Sequence, residues 1–347
     1  MPTVTEIELK LFFSKADLKV LTHCLDRFPS SIAKIPQKLK NHYYDTQDLQ
    51  LRKWNMGLRV REIGDYKEQT IKTAGSVVGG LHSRPEYNVE LSLNKPILNL
   101  FPTSIWPEDA SIKNIQNTLY CLFNTNFTRA IWHININESL VEVAIDIGKI
   151  ETDNLSDEIC EIEFELLKGN AAVLFDLANE VAKQIPIRLA EDSKAKRGYL
   201  LAKQASLAEQ SRSSADDKLK FEARDFSSTN SANEVIEQLQ YLLSLWLKID
   251  KQAEIKFSNN QLDRDRELTD LFESLLCQLI DGTKKLALLS PDLTTELEHI
   301  NKQVSILKNE FNLLNANKFP LIALRKQIEF GTLQLSILKL CIVNIPQ

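Results

Sequence analysis

No Cys-x-x-Cys pair occurs in this chain, although it carries five cysteines: Cys24, Cys121, Cys160, Cys277 and Cys341. Their wide scatter fits neither a zinc ribbon nor a disulfide framework and reads as reduced thiols in the cytoplasm. Histidine is scarce too. His23, His42, His82, His133 and His299 show no paired metal-ligand spacing, and no Ser-His-Asp set stands out. We read them as structural or solvated. No apolar run is long enough to span a bilayer, and no basic-then-apolar signal segment opens the chain, so a soluble protein without membrane contact is expected. Excess positive charge is also missing. A formal charge of −5 argues against nucleic-acid binding driven by net charge, leaving only local basic patches. Gly75, Gly79 and Gly80 have no Gly-Lys-Ser/Thr beside them, which excludes a phosphate-binding P-loop.

The 347 residues give room for two domains, and 43% hydrophobic with 26% charged content is ordinary for a globular chain. Character changes near residue 205. Before it, short alternating segments predict strands: 7–12, 57–62, 68–72, 87–93, 129–134, 141–147 and 159–167. Helical patterns cover 15–27 and 171–183, and the glycines at 75–80 predict a loose hairpin turn. A polar stretch over 206–231 reads as a linker. Four helical patterns follow. Val235, Leu239, Leu242, Trp246 and Ile249 form one stripe, and a second helix runs near 266–289. Leu293, Leu297, Ile300, Val304, Leu307, Phe311 and Leu314 step by four and three. Pro320 opens a fourth helix reaching toward Val343. The expected fold class is α+β, an antiparallel sheet or barrel over 1–205 and an all-helical bundle over 232–347.

The strands carry charge in rows. Glu6, Glu8 and Lys10 share one face of the first strand, while Ile7, Leu9 and Leu11 share the other. Arg59 with Arg61, Thr70 with Lys72, Arg84 with Glu86, Glu142 with Asp146, and Glu161 with Glu163 and Glu165 repeat the pattern. A solvated sheet face would explain each row alone. In a closed sheet, acidic and basic rows would face each other, and such a lining is sustainable if it is hydrated, paired, and filled by ions and a multivalent ligand. Acid clusters bind hard cations and basic side chains hold phosphate oxygens, so the combination predicts a metal-dependent site for a compact polyanion, best an oligophosphate. Tyr43-Tyr44-Asp45-Thr46 reads as a strand end followed by a helix cap. The run Ser193–Tyr199 reads either as a solvated helix face or as a phosphate clamp.

Taken together, these residues resemble the CYTH superfamily, the triphosphate tunnel metalloenzymes. The resemblance rests on Glu6-x-Glu8-x-Lys10, Tyr43-Tyr44-Asp45-Thr46, Leu58-Arg59-x-Arg61, Thr70-x-Lys72, Glu161-x-Glu163 and Ser193-Lys194, in order over roughly residues 1–200. Gly79–Asn88 looks especially like the bacterial inorganic triphosphatases. The resemblance implies an eight-stranded antiparallel β-barrel, the triphosphate tunnel, with flanking helices. It implies Lys10, Arg59, Arg61, Lys72, Arg84, Arg129 and Lys194 on phosphate. Glu6, Glu8, Glu161 and Glu163 would hold Mg²⁺ or Mn²⁺ with Asp146 assisting, and Lys10, Glu6 and Glu8 would serve catalysis. Glu165 and Glu86 would be neighbours. The implied reaction is hydrolysis of inorganic tripolyphosphate to pyrophosphate and phosphate. Other tunnel chemistries (thiamine, nucleoside or RNA triphosphatase, adenylate cyclase) and a non-catalytic phosphate-binding scaffold are the alternatives, and no nucleic-acid partner is expected. By position, the helical half would be a shortened or degenerate CHAD domain. Its 18 Lys/Arg against 20 Asp/Glu from residue 201 onward, with His299 its lone histidine, depart from the basic CHAD pattern. A scaffold or interaction module of unknown partner is the better expectation.

Overall fold

The computed structural model describes residues 4–209, 219, 222–258, 265–314 and 319–344. Much of the stretch expected as linker, residues 210–218, 220 and 221, lies outside the described residues. The chain forms two compact units, each built from separated segments. One takes the residues through Lys10, Asp26–Ala171 and the chain from Asp192. The other takes Leu11–Leu25, Ala172–Glu191 and the C-terminal helices.

The elements of the N-terminal half begin with β1 (Val4–Phe13), α1 (Leu18–Asp26), β2 (Ser31–Ala33), β3 (Gln37–Asp45) and α2 (Gln50–Lys53). Next come β4 (Gly57–Ile63), β5 (Tyr66–Lys72), β6 (Ser76–Val78), β7 (Leu81–Glu90) and α3 (Ile112–Thr118). The long strands β8 (Tyr120–Ile136), β9 (Ser139–Glu151) and β10 (Ser156–Lys168) follow, then α4 (Ala172–Ala182), β11 (Ile187–Leu189) and α5 (Lys194–Glu209). Eight strands close a ring in the order β1–β10–β9–β8–β3–β4–β5–β7, with β7 pairing back onto β1. Strand direction alternates around the ring, giving the expected antiparallel barrel.

Several details differ from the sequence reading; β8, for example, begins at Tyr120, nine residues before the expected 129. β7 starts at Leu81 and stops at Glu90, earlier at both ends than the expected 87–93. β3 extends back to Gln37, through Lys38 and Lys40, whose polar outward side chains hide the strand pattern. The glycine-rich turn is tight. Gly79 and Gly80, both at positive φ, link Val78 to Leu81 as a two-residue turn matching strand twist.

The barrel is turned inside out relative to an ordinary soluble one. Its outward apolar side chains are covered by helices and loops. Leu58, Ile71 and Val89 pack outside the barrel with Leu51, Phe101 and Ile115. Leu39, Phe123, Ile150 and Ile159 have the inward parity instead, and with Tyr43, Phe127 and Tyr199 of α5 they form an apolar layer on the tunnel side.

The other unit joins Leu11–Phe13, α4 and β11 to five helices: α6 (Ala232–Ser258), α7 (Asp265–Leu289), α8 (Thr294–Leu314), α9 (Pro320–Leu324) and α10 (Ile328–Val343). Its core is aromatic. Trp246 meets Phe272 and Phe330 edge-on at 5.4 and 5.1 Å, and the α8 stripe from Leu297 to Phe311 is buried. The expected fourth helix is two. Gln327 adopts extended backbone between α9 and α10, and Arg325 turns into ion pairs with Asp250 (3.0 Å) and Glu254 (3.2 Å). Among the described residues, no helix is long and apolar enough to cross a membrane.

Gly198 sets how closely α5 approaches the barrel, since a Cβ there would strike the Phe123 ring. That ring cannot easily yield, being stacked on Tyr43 at 4.6 Å and edge-on to Tyr199 at 5.3 Å. Gly198→Ala is expected to cost about 1–3 kcal/mol by overpacking, measured by urea unfolding. A wild-type midpoint would show that α5 shifts freely.

Candidate active site

Strand alternation delivers the site. On β1 the even positions Glu6, Glu8 and Lys10 point inward, and on β7 His82, Arg84, Glu86 and Asn88 do the same. Arg59 and Arg61 on β4, Thr70 and Lys72 on β5, Arg129 on β8, Glu142 on β9, and Glu163 and Glu165 on β10 complete the wall. Lys194 enters from the first turn of α5. Together they line one cavity of about 340 Å³. Asp146 and Glu161 are fully buried beside it.

Most of these charges are paired in two knots. In the first, Arg129 grips Asp146 with two bonds of 2.7 and 2.6 Å and reaches Glu163 at 2.6 Å. Lys194 meets Asp146 at 2.7 Å, Glu163 at 2.9 Å and also Glu161. Lys10 bridges Glu8 (2.9 Å) and Glu163 (3.0 Å). Burial works to raise the Glu163 carboxyl, yet Lys10, Lys194 and Arg129 outweigh it and hold it well below its usual value. In the second knot, Lys72 pairs with Glu6 and, at 3.1 Å, with Glu86, which Arg59 also approaches at 3.4 Å. Burial opposes ionisation of Glu86, but Lys72 and Arg59 draw its pKa down to about 2.

Two cations stand outside the knots. Arg61 donates from Nε to Asn41 Oδ1 at 2.8 Å, and Arg84 donates to the carbonyls of Thr73 and Asn55. Among the described residues neither has a carboxylate partner. Burial, with Arg59 and Arg129 alongside, pushes the Arg61 pKa down. A guanidinium does not deprotonate in water-accessible protein sites, so this reports a charge in want of an anion. Glu165 is the reverse case. Burial, with Glu6, Glu8 and Glu142 near it, pushes its carboxyl up to about 8, which keeps it protonated at neutral pH.

Oxygens of Asp146, Glu161 and Glu163 lie within 4.8 Å of one another. Three carboxylate donors suit a hard divalent cation. Glu6 and Glu8, also expected as ligands, line the cavity on β1 outside that cluster. Every residue expected on phosphate lines the cavity.

Sequence reading passed over His82 and Tyr43, which also line it. Spacing was the available signal for His82, two residues before Arg84 on the same strand face. The helix-cap reading of Asp45 matches the geometry. Its carboxylate accepts from the backbone N–H groups of Leu51 (2.9 Å) and Arg52 (3.0 Å), and Thr46 Oγ1 accepts from Gln50 N–H. The Ser193–Tyr199 run divides: Lys194 reaches the cavity, Arg197 pairs with Asp157 at 2.8 Å, and half-buried Lys196 pairs with Asp192 at 2.5 Å.

A family model described as the CYTH domain matches residues 5–199. The inorganic triphosphatase of Haemophilus influenzae is 39% identical over 209 residues, covering 59% of this chain and 57% of that protein. The chain thus spans little more than half the length of that relative. Among solved structures, a Hippeastrum protein described as having a dominant triphosphatase activity aligns at 18% identity. That alignment covers 58% of this chain and 96% of the other, with a TM-score of 0.41. An RNA triphosphatase from S. pombe aligns at 16% identity over 61% of this chain and 88% of its own, with a TM-score of 0.26. Scores this low carry no argument about chemistry.

Two outcomes follow from the pairing. The folded value of Glu86, about 2, lies below its ordinary 4.5. Its pairing therefore stabilises the fold above pH 4.5, and that contribution is lost as pH falls from about 4.5 toward 2. Glu86→Gln should lower stability at neutral pH and flatten the acid limb of a urea-midpoint profile; an unchanged limb would refute the assignment. Arg61→Met should raise the melting temperature of the ligand-free protein by a few degrees, equivalent to about 1 kcal/mol.

Proposed function

The chain belongs to the CYTH family, and on that premise we propose that its tunnel hydrolyses inorganic tripolyphosphate to pyrophosphate and phosphate with Mg²⁺ or Mn²⁺. One observation carries the reading. Among the described residues Arg61 and Arg84 are cations without carboxylate partners, set in a wall most of whose other charges are paired. A linear polyanion supplies the charge they lack. The 39% identity to an inorganic triphosphatase supports the choice of reaction.

In this reading Arg59, Arg61, Lys72 and Arg84 hold phosphate oxygens from the β4–β5–β7 side, and Lys10, Arg129 and Lys194 from the β1, β8 and α5 side. Positions on opposite walls restrain the chain of phosphates lengthwise, so the scissile bond is presented in a fixed geometry. Glu6, Glu8, Asp146, Glu161 and Glu163 would hold the divalent cation, which neutralises phosphate charge and lowers the pKa of an attacking water when bound. Guanidinium and ammonium groups then stabilise charge on the transferring phosphoryl group. The scattered cysteines fit a cytoplasmic setting for this enzyme.

Phosphate release from tripolyphosphate, ATP and thiamine triphosphate with Mg²⁺ or Mn²⁺ tests the proposal. Tripolyphosphate should be the preferred substrate, and Glu6→Ala/Glu8→Ala should lose about 100-fold or more in turnover. Activity that survives the double substitution would remove Glu6 and Glu8 from the metal assignment. Tight metal-dependent binding without turnover of any substrate would favour a phosphate-binding scaffold.

A further inference from the structure

Near the β8–β9 hairpin, one imidazole nitrogen faces two groups with opposite demands. His133 Nε2 lies 2.8 Å from Glu142 Oε2 and 2.9 Å from Lys34 Nζ. An ammonium can only donate, so it requires the lone pair of that nitrogen. An ionised carboxylate can only accept, so it requires an N–H there. Two arrangements resolve the conflict. In one, Glu142 carries a proton and turns it toward bare Nε2, where Lys34 also donates. In the other, Nε2 carries the proton and donates to ionised Glu142, while Lys34 withdraws into water. They differ by one proton moved between Glu142 and His133.

These groups join the inside of the tunnel to the outside. Glu142 lines the cavity, and so does Glu165, its register partner on β10. The His133 side chain is 25% exposed, and Lys34 is exposed. The backbone N–H of Lys34 donates to the Ile131 carbonyl at 2.8 Å, which fixes the segment after β2 against β8. The register partner of His133 on β2 is apolar Ile32, so the charged groups around the imidazole are Lys34, Glu142 and, one strand further, Glu165. Glu163 and Asp146 are poor proton acceptors. Lys10, Lys194 and Arg129 hold Glu163 low, and Arg129 with Lys194 does the same to Asp146 against the effect of burial.

We infer that Glu142, His133 and Lys34 form a proton exit from the tunnel; the inference rests on the hydrolytic reading above. As water attacks, its oxygen bonds to the terminal phosphorus. The bridging P–O bond breaks, leaving its electron pair on the departing pyrophosphate oxygen. One water proton stays on the new phosphate. The other passes to Glu142 and then to His133 Nε2, the same Nε2 proton leaves to a solvent water where Lys34 has withdrawn, and Lys34 docks again on the emptied nitrogen. His133 and Lys34 act through Glu142 and are relay residues.

Steady-state hydrolysis of tripolyphosphate by the full chain and by H133A and K34Q tests this. H133A should lose about 10-fold or more in kcat with KM unchanged, show a larger solvent deuterium isotope effect, and recover when free imidazole is added. K34Q, at an exposed position, should show a smaller kcat loss with the same isotope signature. Tripolyphosphate should still raise the melting temperature of both. Wild-type kcat and isotope effect in both variants would overturn the exit while leaving the hydrolytic reading intact. So would a loss in H133A that imidazole does not restore. If H133A fails to fold, the isotope effect of K34Q decides. An inactive wild type would refute the hydrolytic reading, and the exit with it.

Discussion

Closing a sheet of eight strands on itself turns every second side chain of each strand toward a shared interior, and here most of those around the cavity are charged. An unpaired charge in such a place costs several kcal/mol, so the barrel can exist only if the rows interleave. They do. Seven cations (Lys10, Arg59, Arg61, Lys72, Arg84, Arg129, Lys194) line the cavity with six carboxylates (Glu6, Glu8, Glu86, Glu142, Glu163, Glu165). The reversal of faces follows from this. With charge around the cavity, apolar side chains such as Leu58, Ile71 and Val89 lie outside, and α2, α3 and the loop carrying Phe101 cover them.

The pairs that stabilise the empty barrel are also the groups a substrate and a metal would need. Lys10 and Lys194 would have to turn from Glu163 toward phosphate, and Glu163 from the lysines toward a cation. Neither exchange is favourable alone. A polyanion entering without a cation would strand Glu163, Asp146 and Glu161, while a cation entering alone would strand Arg129 and the lysines. In the proposed reading the two load together because the ion pairs link their free energies. Arg61 and Arg84 escape this constraint, having no carboxylate to give up. They are the natural first contacts for an anion.

Much of this was legible in the sequence because period-2 alternation is a local property. Glu6, Glu8 and Lys10 declare their shared face without reference to the rest of the chain, as do Arg59 with Arg61 and Glu161 with Glu163. What could not be read locally is who faces whom. Arg129 lies 17 residues from Asp146 and 34 from Glu163, and only barrel closure makes them a clamp. His82 looks solitary in sequence because no second histidine stands at metal-ligand spacing from it, and its place in an inward row depends on β7 beginning at Leu81. The split between α9 and α10 was hidden for a related reason. The apolar pattern runs across it, and the turn of Arg325 toward Asp250 depends on a partner 75 residues away. The pairing of Leu189 N–H with the Gln334 side chain, 145 residues apart, is equally silent in composition.

Placement of Lys194 shows how far such dependence reaches. It lies on the first turn of α5, and that helix is set against the barrel at two points four and five residues later. At Gly198 the missing side chain admits the Phe123 ring. At Tyr199 the hydroxyl donates to Asp45 Oδ2 at 2.9 Å, and burial with that carboxylate raises the phenol pKa far above its usual range, so it remains a donor. The same Asp45 is fully buried and accepts from the N–H groups of Thr46, Leu51 and Arg52 at 2.7–3.0 Å. One carboxylate thus orders the turn after β3, the start of α2 and the depth of α5. Loss of its charge would leave buried donors unsatisfied at three places and release the helix that carries Lys194. A residue outside the cavity therefore governs the geometry of the first knot, as firmly as the residues that line it.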